Sequence, residues 1–202
     1  MPITINGSGT ITGISAGGLP DGSVVADDLA SSLDLTGKTV TLPSGTGGKI
    51  LQVVSTTKSD TFSTSSFAFT DVTGLSVSIT PSTTSSKILV LVNLTGDGTM
   101  GHTRAVYRLV RNSTAIAIGD TAGSRPRAFA GIYRANDNNT SGVVSVSYLD
   151  SPASTSEQTY KVQASEGNDT SYSVYVNRAA GWSDANGHPA TISTITAIEV
   201  QG

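Results

Sequence analysis

Short apolar runs separated by turn residues dominate the chain beyond residue 48. The runs lie at Ile50–Val54, Phe67–Phe69, Leu75–Ile79, Ile88–Leu94, Ala105–Val110, Ala115–Ile118, Val143–Leu149, Tyr160–Ala164, Tyr172–Val176 and Ile192–Val200. Short runs bounded by Gly, Pro, Asn, Asp and Ser are typical of β-strands. About eight to ten strands in about 150 residues predict an all-β fold, a β-sandwich or jelly roll, rather than strands alternating with helices.

The first residues show a different pattern. Residues 2–18 alternate Ile, Thr and Gly around Asn6 and Gly7. Asn-Gly pairs favour tight hairpin turns, so the pattern predicts a short strand, a turn, and a second strand at Thr10–Ile14. A hairpin of this size is too small to fold alone.

One helical pattern follows, over Ser23–Leu33. Val25, Leu29 and Leu33 are spaced four residues apart, which places them on one face of a short helix. A helix below about 12 residues is marginal in water, so its apolar stripe must pack against something. The chain shows no second helical pattern to receive it. We therefore predict that these three residues pack against their own copies around a threefold axis.

A Pro/Gly/Ser-rich joint at residues 43–48 separates this region from the strands. It divides the chain into residues 1–48, a stalk-like segment, and residues 49–202, a jelly-roll head. The fold class is therefore all-β, with a jelly-roll sandwich preceded by a short strand and helix segment.

The strand at Ile88–Val92 is apolar at every position. A sandwich strand with one face in water alternates apolar and polar residues, so both faces of this strand should be covered. Two interpretations remain open: a central strand lying under a loop, or a subunit interface. We assign Ile88, Val90 and Val92 to a trimer interface. Val143–Leu149 shows the same pattern more weakly.

The composition excludes several classes of protein. Charged residues make up only 13% of the chain and cysteine is absent. The net charge is −3 and the pI is about 5.2, so the chain has no overall positive charge to attract the phosphates of nucleic acid. Disulfides and Cys-ligated zinc are excluded. The N-terminus does not resemble a signal peptide and no apolar run approaches the roughly 20 residues that span a bilayer. We expect synthesis in a cytoplasm and no membrane insertion.

Candidate chemistry is sparse. The two histidines, His102 and His188, are not spaced with carboxylates as metal ligands are, and no Gly-x-Ser-x-Gly motif is present. The paired carboxylates Asp27 and Asp28 are explained by the start of the predicted helix. We expect no enzymatic activity, no metal and no cofactor.

Three loops concentrate polar and aromatic residues, at 123–127, 133–139 and 178–189. The last contains the chain's one tryptophan, and an aromatic face beside hydrogen-bonding groups is typical of a carbohydrate site. Candidate receptor-binding residues are Trp182, Asp184, His188, Tyr133 and Arg134. The alternative is that Trp182 closes the end of the barrel or packs against a neighbouring subunit.

Residues 5–29 resemble a segment of fibre-like virion proteins of tailed phages, especially those that infect cyanobacteria. The head, through Phe67–Ile79, Ser86–Val90 and Ile195–Val200, is similar to the trimeric tumour-necrosis-factor-like jelly rolls that end many phage fibres. The resemblance implies a homotrimer displayed on the particle, with the N-terminal segment toward other virion proteins and the head outward.

Two virion roles stay open. Many tail fibres carry a long adaptor before such a segment, whereas this chain begins with it. A short trimer could therefore be a tail fibre that binds a host surface glycan, or a head fibre or cement protein that decorates the capsid and pairs with it by β-augmentation. A secreted carbohydrate-binding module is the alternative. A polysaccharide hydrolase would need an acidic pair that the loops do not supply.

Overall fold

The computed structural model describes residues 49–99, 104–133, 141–167 and 169–202, together with the backbone of residues 4–5 and 11–12. The chain divides into two units, residues 1–47 and 48–202. In the first, β1 (Thr4–Ile5) pairs antiparallel with β2 (Ile11–Thr12). The hairpin predicted around Asn6 and Gly7 is confirmed by this pairing. The predicted helix at Ser23–Leu33 lies outside the described residues.

The second unit is built entirely of strands in the part that the structure describes. They are β3 (Ile50–Lys58), β4 (Phe62–Thr64), β5 (Thr70–Ile79), β6 (Lys87–Gly98), β7 (Arg104–Arg111), β8 (Thr114–Ile116), β9 (Ala130–Tyr133), β10 (Gly142–Asp150), β11 (Gln158–Glu166), β12 (Val174–Val176) and β13 (Ser193–Val200). The all-β prediction is confirmed.

The strands form two antiparallel sheets. The six-stranded sheet has the order β3-β13-β6-β12-β4, with β10 paired to the other side of β6. The five-stranded sheet has the order β5-β11-β7-β8, with β9 also paired to β7. The long strand β6 pairs with β13 along its first half and with β12 at its end.

The long pairings are nested in the way that defines a jelly roll. The outermost pair is β3 with β13, followed inward along the chain by β5 with β11, β6 with β10, and β7 with β9. The successive pairs alternate between the two sheets, as a single antiparallel ribbon does when it wraps around a core. The predicted jelly-roll sandwich is therefore confirmed.

Apolar side chains from the facing sheets fill the interior. Successive side chains of a strand point to opposite faces of the sheet, so alternate residues of the facing strands point inward. The core includes Val72, Leu75, Val77, Ile79, Ile88, Val90, Val92, Leu94, Tyr107, Leu109, Tyr160, Val162, Val174, Val176 and Ile195. Burying each of the larger side chains contributes about 1.5–3 kcal/mol.

The strand predictions differ from the structure at three places. Phe67–Phe69 was expected to be a strand, but those residues form a bend and β5 begins only at Thr70. The strand then bulges opposite β11, and Gly74 in the bulge has a φ of +80°, which favours glycine. The small strands β4 and β9 were missed, because Phe62 is the only apolar residue of β4 and because Ala130 and Gly131 give β9 little apolar pattern.

The residues assigned to the trimer interface on β6 need correction. Ile88, Val90 and Val92 are 0%, 0% and 2% exposed in the single chain, because they point into the core between the two sheets. They are therefore not available to a neighbouring subunit. The alternate residues Leu89 and Leu91 occupy the outer face of the sheet, where Leu91 is 38% exposed.

Candidate functional site

The outer face of the six-stranded sheet carries a row of aliphatic side chains. Val53 on β3 is opposite Ile198 on β13, Ile198 is opposite Leu89 on β6, and Leu89 is opposite Leu149 on β10. Opposed residues on adjacent antiparallel strands touch, so these four side chains form one continuous stripe, about 14 Å long at about 4.8 Å per strand. We call Val53, Ile198, Leu89 and Leu149 the aliphatic row.

On one side of the aliphatic row, the neighbouring residues of the same outer face are uncharged. They lie two positions further along each strand and are opposed in the same way: Ser55, Thr196, Leu91 and Ser147. Here the hydroxyl oxygens of Ser55 and Thr196 are 2.8 Å apart and share a hydrogen bond. On the other side of the row, Ile50 pairs with Val200, and Ile50 is 62% exposed. In the aliphatic row itself, Val53 is 59% exposed and Leu149 50%. Such a patch on a sheet face marks an interaction surface.

A second apolar surface lies beside β10, along one side of the sandwich. Among the described residues, β9 and β10 each pair with one strand only, so their outer edges are free there. Ala117, Ile118, Gly119, Ala128, Phe129, Val146 and Tyr148 line an open groove of about 510 Å³ between the two sheets. We call it the side groove. Val146 and Tyr148 belong to β10, whose alternate residue Leu149 belongs to the aliphatic row.

The loop between β12 and β13, residues 177–192, folds over the far end of the same outer face. Its Ala180 N–H donates to Asp97 Oδ2 at 2.9 Å, and the Thr95 hydroxyl donates to the Ile192 carbonyl at 3.3 Å. Asn177 begins the loop with a φ of +61° and donates to the carbonyls of Lys58 and Asp60, both at 2.9 Å. The first two bonds hold the loop on β6, and those of Asn177 tie its base to the end of β3 and the residues that follow it.

An arginine stacked on two aromatic rings lies at the start of this loop. The Arg178 guanidinium carbon is 4.5 Å from the Tyr175 ring centroid and 5.6 Å from that of Trp182. Its Nε donates to the Ala179 carbonyl at 3.3 Å and one terminal nitrogen donates to the Ala180 carbonyl at 3.5 Å. We call Tyr175, Arg178 and Trp182 the stacked cluster. Trp182 was predicted from the sequence as a binding residue, whereas Arg178 and Tyr175 were not, although Arg178 opens the same polar loop.

The predicted residues Trp182, Asp184 and His188 do lie together on this loop. Trp182 is 43% exposed. The Ser183 N–H donates to His188 Nδ1 at 2.8 Å, and the Ser183 hydroxyl is 2.9 Å from the same nitrogen. These contacts close the tip of the loop. Asp184 lies between Ser183 and His188 in the sequence and is exposed.

The other predicted residues lie elsewhere. Tyr133 ends β9 on the five-stranded sheet, where the Arg104 guanidinium carbon is 5.7 Å from its ring centroid. Tyr133 therefore belongs to a different sheet from the two strands that flank the loop of Trp182. Arg134 lies outside the described residues, as do the three residues of the predicted helix stripe, Val25, Leu29 and Leu33.

The buried carboxylates form structural hydrogen bonds. Asp150 on β10 accepts from Arg111 Nη1 and from the Tyr160 hydroxyl, each at 2.7 Å, and so ties the two sheets together. Desolvation, followed by the hydrogen bond to Asp150, raises the pKa of Tyr160. Among the described residues, no three His, Asp or Glu side chains are grouped to hold a metal ion.

Glu199 links β13 to the β5–β6 connection. Its Oε1 accepts from the Ser82 N–H and from the Ser82 hydroxyl, both at 2.6 Å. Desolvation would raise the pKa of this carboxyl group, but the bonds from Ser82 outweigh it and leave the pKa below its ordinary value.

Comparisons with known proteins add little to this description. No protein-family model matches the chain, and no curated protein is significantly similar to it. A chain from the structure of infectious bursal disease virus Gx strain is 12% identical, with a TM-score of 0.40, over 81% of this chain and 41% of that chain. The chain therefore spans less than half the length of that neighbour, and a likeness this distant carries no argument about function.

No helix among the described residues is long and apolar enough to cross a membrane.

Proposed function

We propose that the chain is a non-enzymatic structural protein of a virus particle, which assembles as a homotrimer and displays its jelly-roll head. The observation that carries this proposal is the aliphatic row on the outer face of the six-stranded sheet. A lone subunit would leave Val53 and Leu149 in water at half or more of their full exposure. The resemblance of residues 5–29 to fibre-like virion proteins supports the location on a particle.

Two different apolar surfaces on one chain favour a head-to-tail contact. The aliphatic row is a sheet face, whereas the side groove lies along the edge next to it, and β10 contributes to both. If the β10 edge of one copy packs against the aliphatic row of the next, each copy gives one surface and receives the other. Such heterologous contacts close into a ring of three when the rotation from one copy to the next is one third of a turn. A ring of three matches the threefold packing that we predict for Val25, Leu29 and Leu33.

A charge placed in the aliphatic row tests this interface. We expect Leu89→Asp to dissociate the trimer, because a carboxylate there would be buried without a partner. Phe67→Asp is the matched control, since Phe67 is 56% exposed but lies outside the sheet face. Analytical ultracentrifugation of both variants measures the result, and circular dichroism checks that they fold. A folded Leu89→Asp variant that stays trimeric would refute the proposed interface.

The N-terminal segment, residues 1–48, is proposed to contact other virion proteins. Two roles fit: a tail fibre that touches the host, or a head fibre or cement protein that decorates the capsid. Electron microscopy of particles labelled with antibody against the head separates them. Label in a small symmetric set at the tail indicates a fibre, and label spread over the shell indicates decoration. Particles without label would refute the virion role.

Binding of a host surface glycan is a second candidate function, and it applies equally to a secreted carbohydrate-binding module. The stacked cluster supports it, because Trp182 leaves 43% of its surface open in a loop with several hydrogen-bonding groups. A glycan array with the isolated head tests it, together with Trp182→Ala in an adsorption assay. No bound glycan and unchanged adsorption would remove this candidate.

The absence of enzymatic activity is also part of the proposal. The buried carboxylates Asp150 and Glu199 are each occupied by hydrogen bonds that join parts of the fold. Incubation of the purified trimer with host polysaccharide, followed by a reducing-end assay, measures turnover. Release of new reducing ends would refute the proposal.

A further inference from the structure

The side chain of Arg178 is held in place before any ligand arrives. Its guanidinium stacks on the rings of Tyr175 and Trp182, and two of its nitrogens donate to the carbonyls of Ala179 and Ala180. A guanidinium stacked on aromatic rings keeps its charge and loses little further freedom when it binds. This arrangement presents a fixed cation beside an exposed indole.

Arg178 forms no ion pair with a carboxylate in the described part of the chain. The ion pairs there join Lys58 to Asp60, Arg111 to Asp150 and Lys161 to Asp71. Asp184 lies in the same loop and is exposed, but it forms no ion pair with Arg178. The hydrogen bonds to Ala179 and Ala180 involve Nε and one terminal nitrogen, so the other terminal nitrogen is available for an incoming acceptor.

We infer that the stacked cluster binds a carboxylated saccharide, such as a hexuronate unit. The inference rests on the proposed glycan binding and names its ligand class. The carboxylate would accept hydrogen bonds from the Arg178 guanidinium, which suits planar oxyanions. The apolar face of the sugar ring would stack on Trp182. A neutral sugar would gain only the second contact.

The site stays accessible in the proposed trimer. The loop covers the outer face of β6 at Thr95 and Asp97, whereas the aliphatic row crosses β6 at Leu89. Eight residues separate Leu89 from Asp97, which corresponds to about 26 Å along a strand. A subunit contact centred on the aliphatic row therefore leaves the far end of the face free.

Isothermal titration of the full-length protein with matched saccharides tests the inference. The probes are hexamers of galacturonate, glucuronate, mannuronate and guluronate, each also as its neutral methyl ester. We expect at least one acid to bind at least tenfold more tightly than its ester, and this difference to shrink as salt is raised. No preference for any acid over its ester would overturn the inference.

Substitutions separate the charge from the stacking. We expect Arg178→Gln to lose at least tenfold in affinity for the acid and to leave the ester unchanged. Trp182→Ala should weaken acid and ester alike. Arg125→Gln, which removes the same charge from the exposed β8–β9 loop, is the matched control and should change neither. Thermal unfolding confirms that each variant is folded.

The possible results distinguish this inference from the proposed glycan binding on which it rests. Equal binding of acid and ester, unaffected by Arg178→Gln, refutes the carboxylate while glycan binding stands. Binding of neither form refutes the carboxylate as well, and the glycan array then decides the wider proposal. Loss of acid binding in Arg125→Gln to the same degree would show a general charge effect and would also refute the site.

Discussion

Gly96 on β6 is a position where a single added carbon should destabilise the head. A Cβ built there would overlap the Tyr107 hydroxyl and lie 2.8 Å from Tyr107 Cζ and 2.9 Å from Leu94 Cδ2. Tyr107 is fully buried, and its hydroxyl donates to the Tyr175 carbonyl at 3.0 Å. Gly96→Ala must therefore displace a core tyrosine.

The cost has two parts. Overpacking a filled core costs about 1–3 kcal/mol, and losing the hydrogen bond from Tyr107 to Tyr175 adds about 1 kcal/mol. We expect Gly96→Ala to lower the free energy of unfolding by about 2–4 kcal/mol. Urea denaturation at one fixed protein concentration measures it, because the stability of an oligomer depends on concentration.

Two further variants make the Gly96 prediction refutable. Gly131→Ala is the matched control, because its nearest neighbour, the Ala105 carbonyl oxygen, would be 3.5 Å away and in ordinary contact. Tyr107→Phe removes the hydroxyl that meets the new Cβ, so Gly96→Ala combined with it should cost less than the two changes added separately. A Gly96→Ala protein as stable as wild type, or strict additivity in the double variant, would show that the core is not packed as described.

Two predictions concern the buried carboxylates. Asp150→Ala should lower the free energy of unfolding by about 2–3 kcal/mol, because it leaves Arg111 and the buried Tyr160 hydroxyl without their partner. Urea denaturation measures this change. An unchanged midpoint would contradict the role of Asp150 in joining the two sheets. Glu199→Gln should lower it by about 1–2 kcal/mol at neutral pH, because Ser82 donates twice to the ionised carboxylate. The folded protein holds the pKa of Glu199 below its ordinary value of 4.5, so this contribution is present above that pH and is lost as the pH falls through the folded pKa. The difference between wild type and Glu199→Gln should therefore shrink below about pH 4.5, and a difference that grows there would refute the assignment.

The strands were predictable because the core imposes alternation on them. Along β6, the alternate residues Ile88, Val90, Val92 and Leu94 are apolar and buried. The same alternation holds for Tyr160, Val162 and Ala164 in the middle of β11 and for Ile195 and Ala197 in the middle of β13. The nesting of the strand pairs was not readable in this way, because an alternating pattern does not say which strands are neighbours. The jelly-roll prediction rested on strand number and length instead.

The interface residues on β6 show where sequence reasoning stops. A run of five apolar residues indicates that both faces of a strand are covered, but it does not indicate which face points into the core. The structure assigns Val90 to the core and Leu91 to the outer face. The polar residues that flank Leu91 across the sheet, Thr196 and Ser147, gave no apolar signal of their own.

The stacked cluster was also only partly visible in the sequence. Trp182 stood out as the one tryptophan, whereas Tyr175 was counted as a strand residue and Arg178 as part of a polar loop. Their proximity follows from the turn at Asn177, whose positive φ and bonds to the carbonyls of Lys58 and Asp60 reverse the chain after β12. Such a turn is not encoded by an apolar pattern.

The mass of the full-length protein in solution tests the central claim most directly. Sedimentation equilibrium over a range of protein concentrations gives this mass without reference to shape. We expect a single species of about three times the 20.5 kDa of one chain, because the aliphatic row and the side groove should each be covered by a neighbouring copy. A stable monomer of 20.5 kDa across that range would contradict the account.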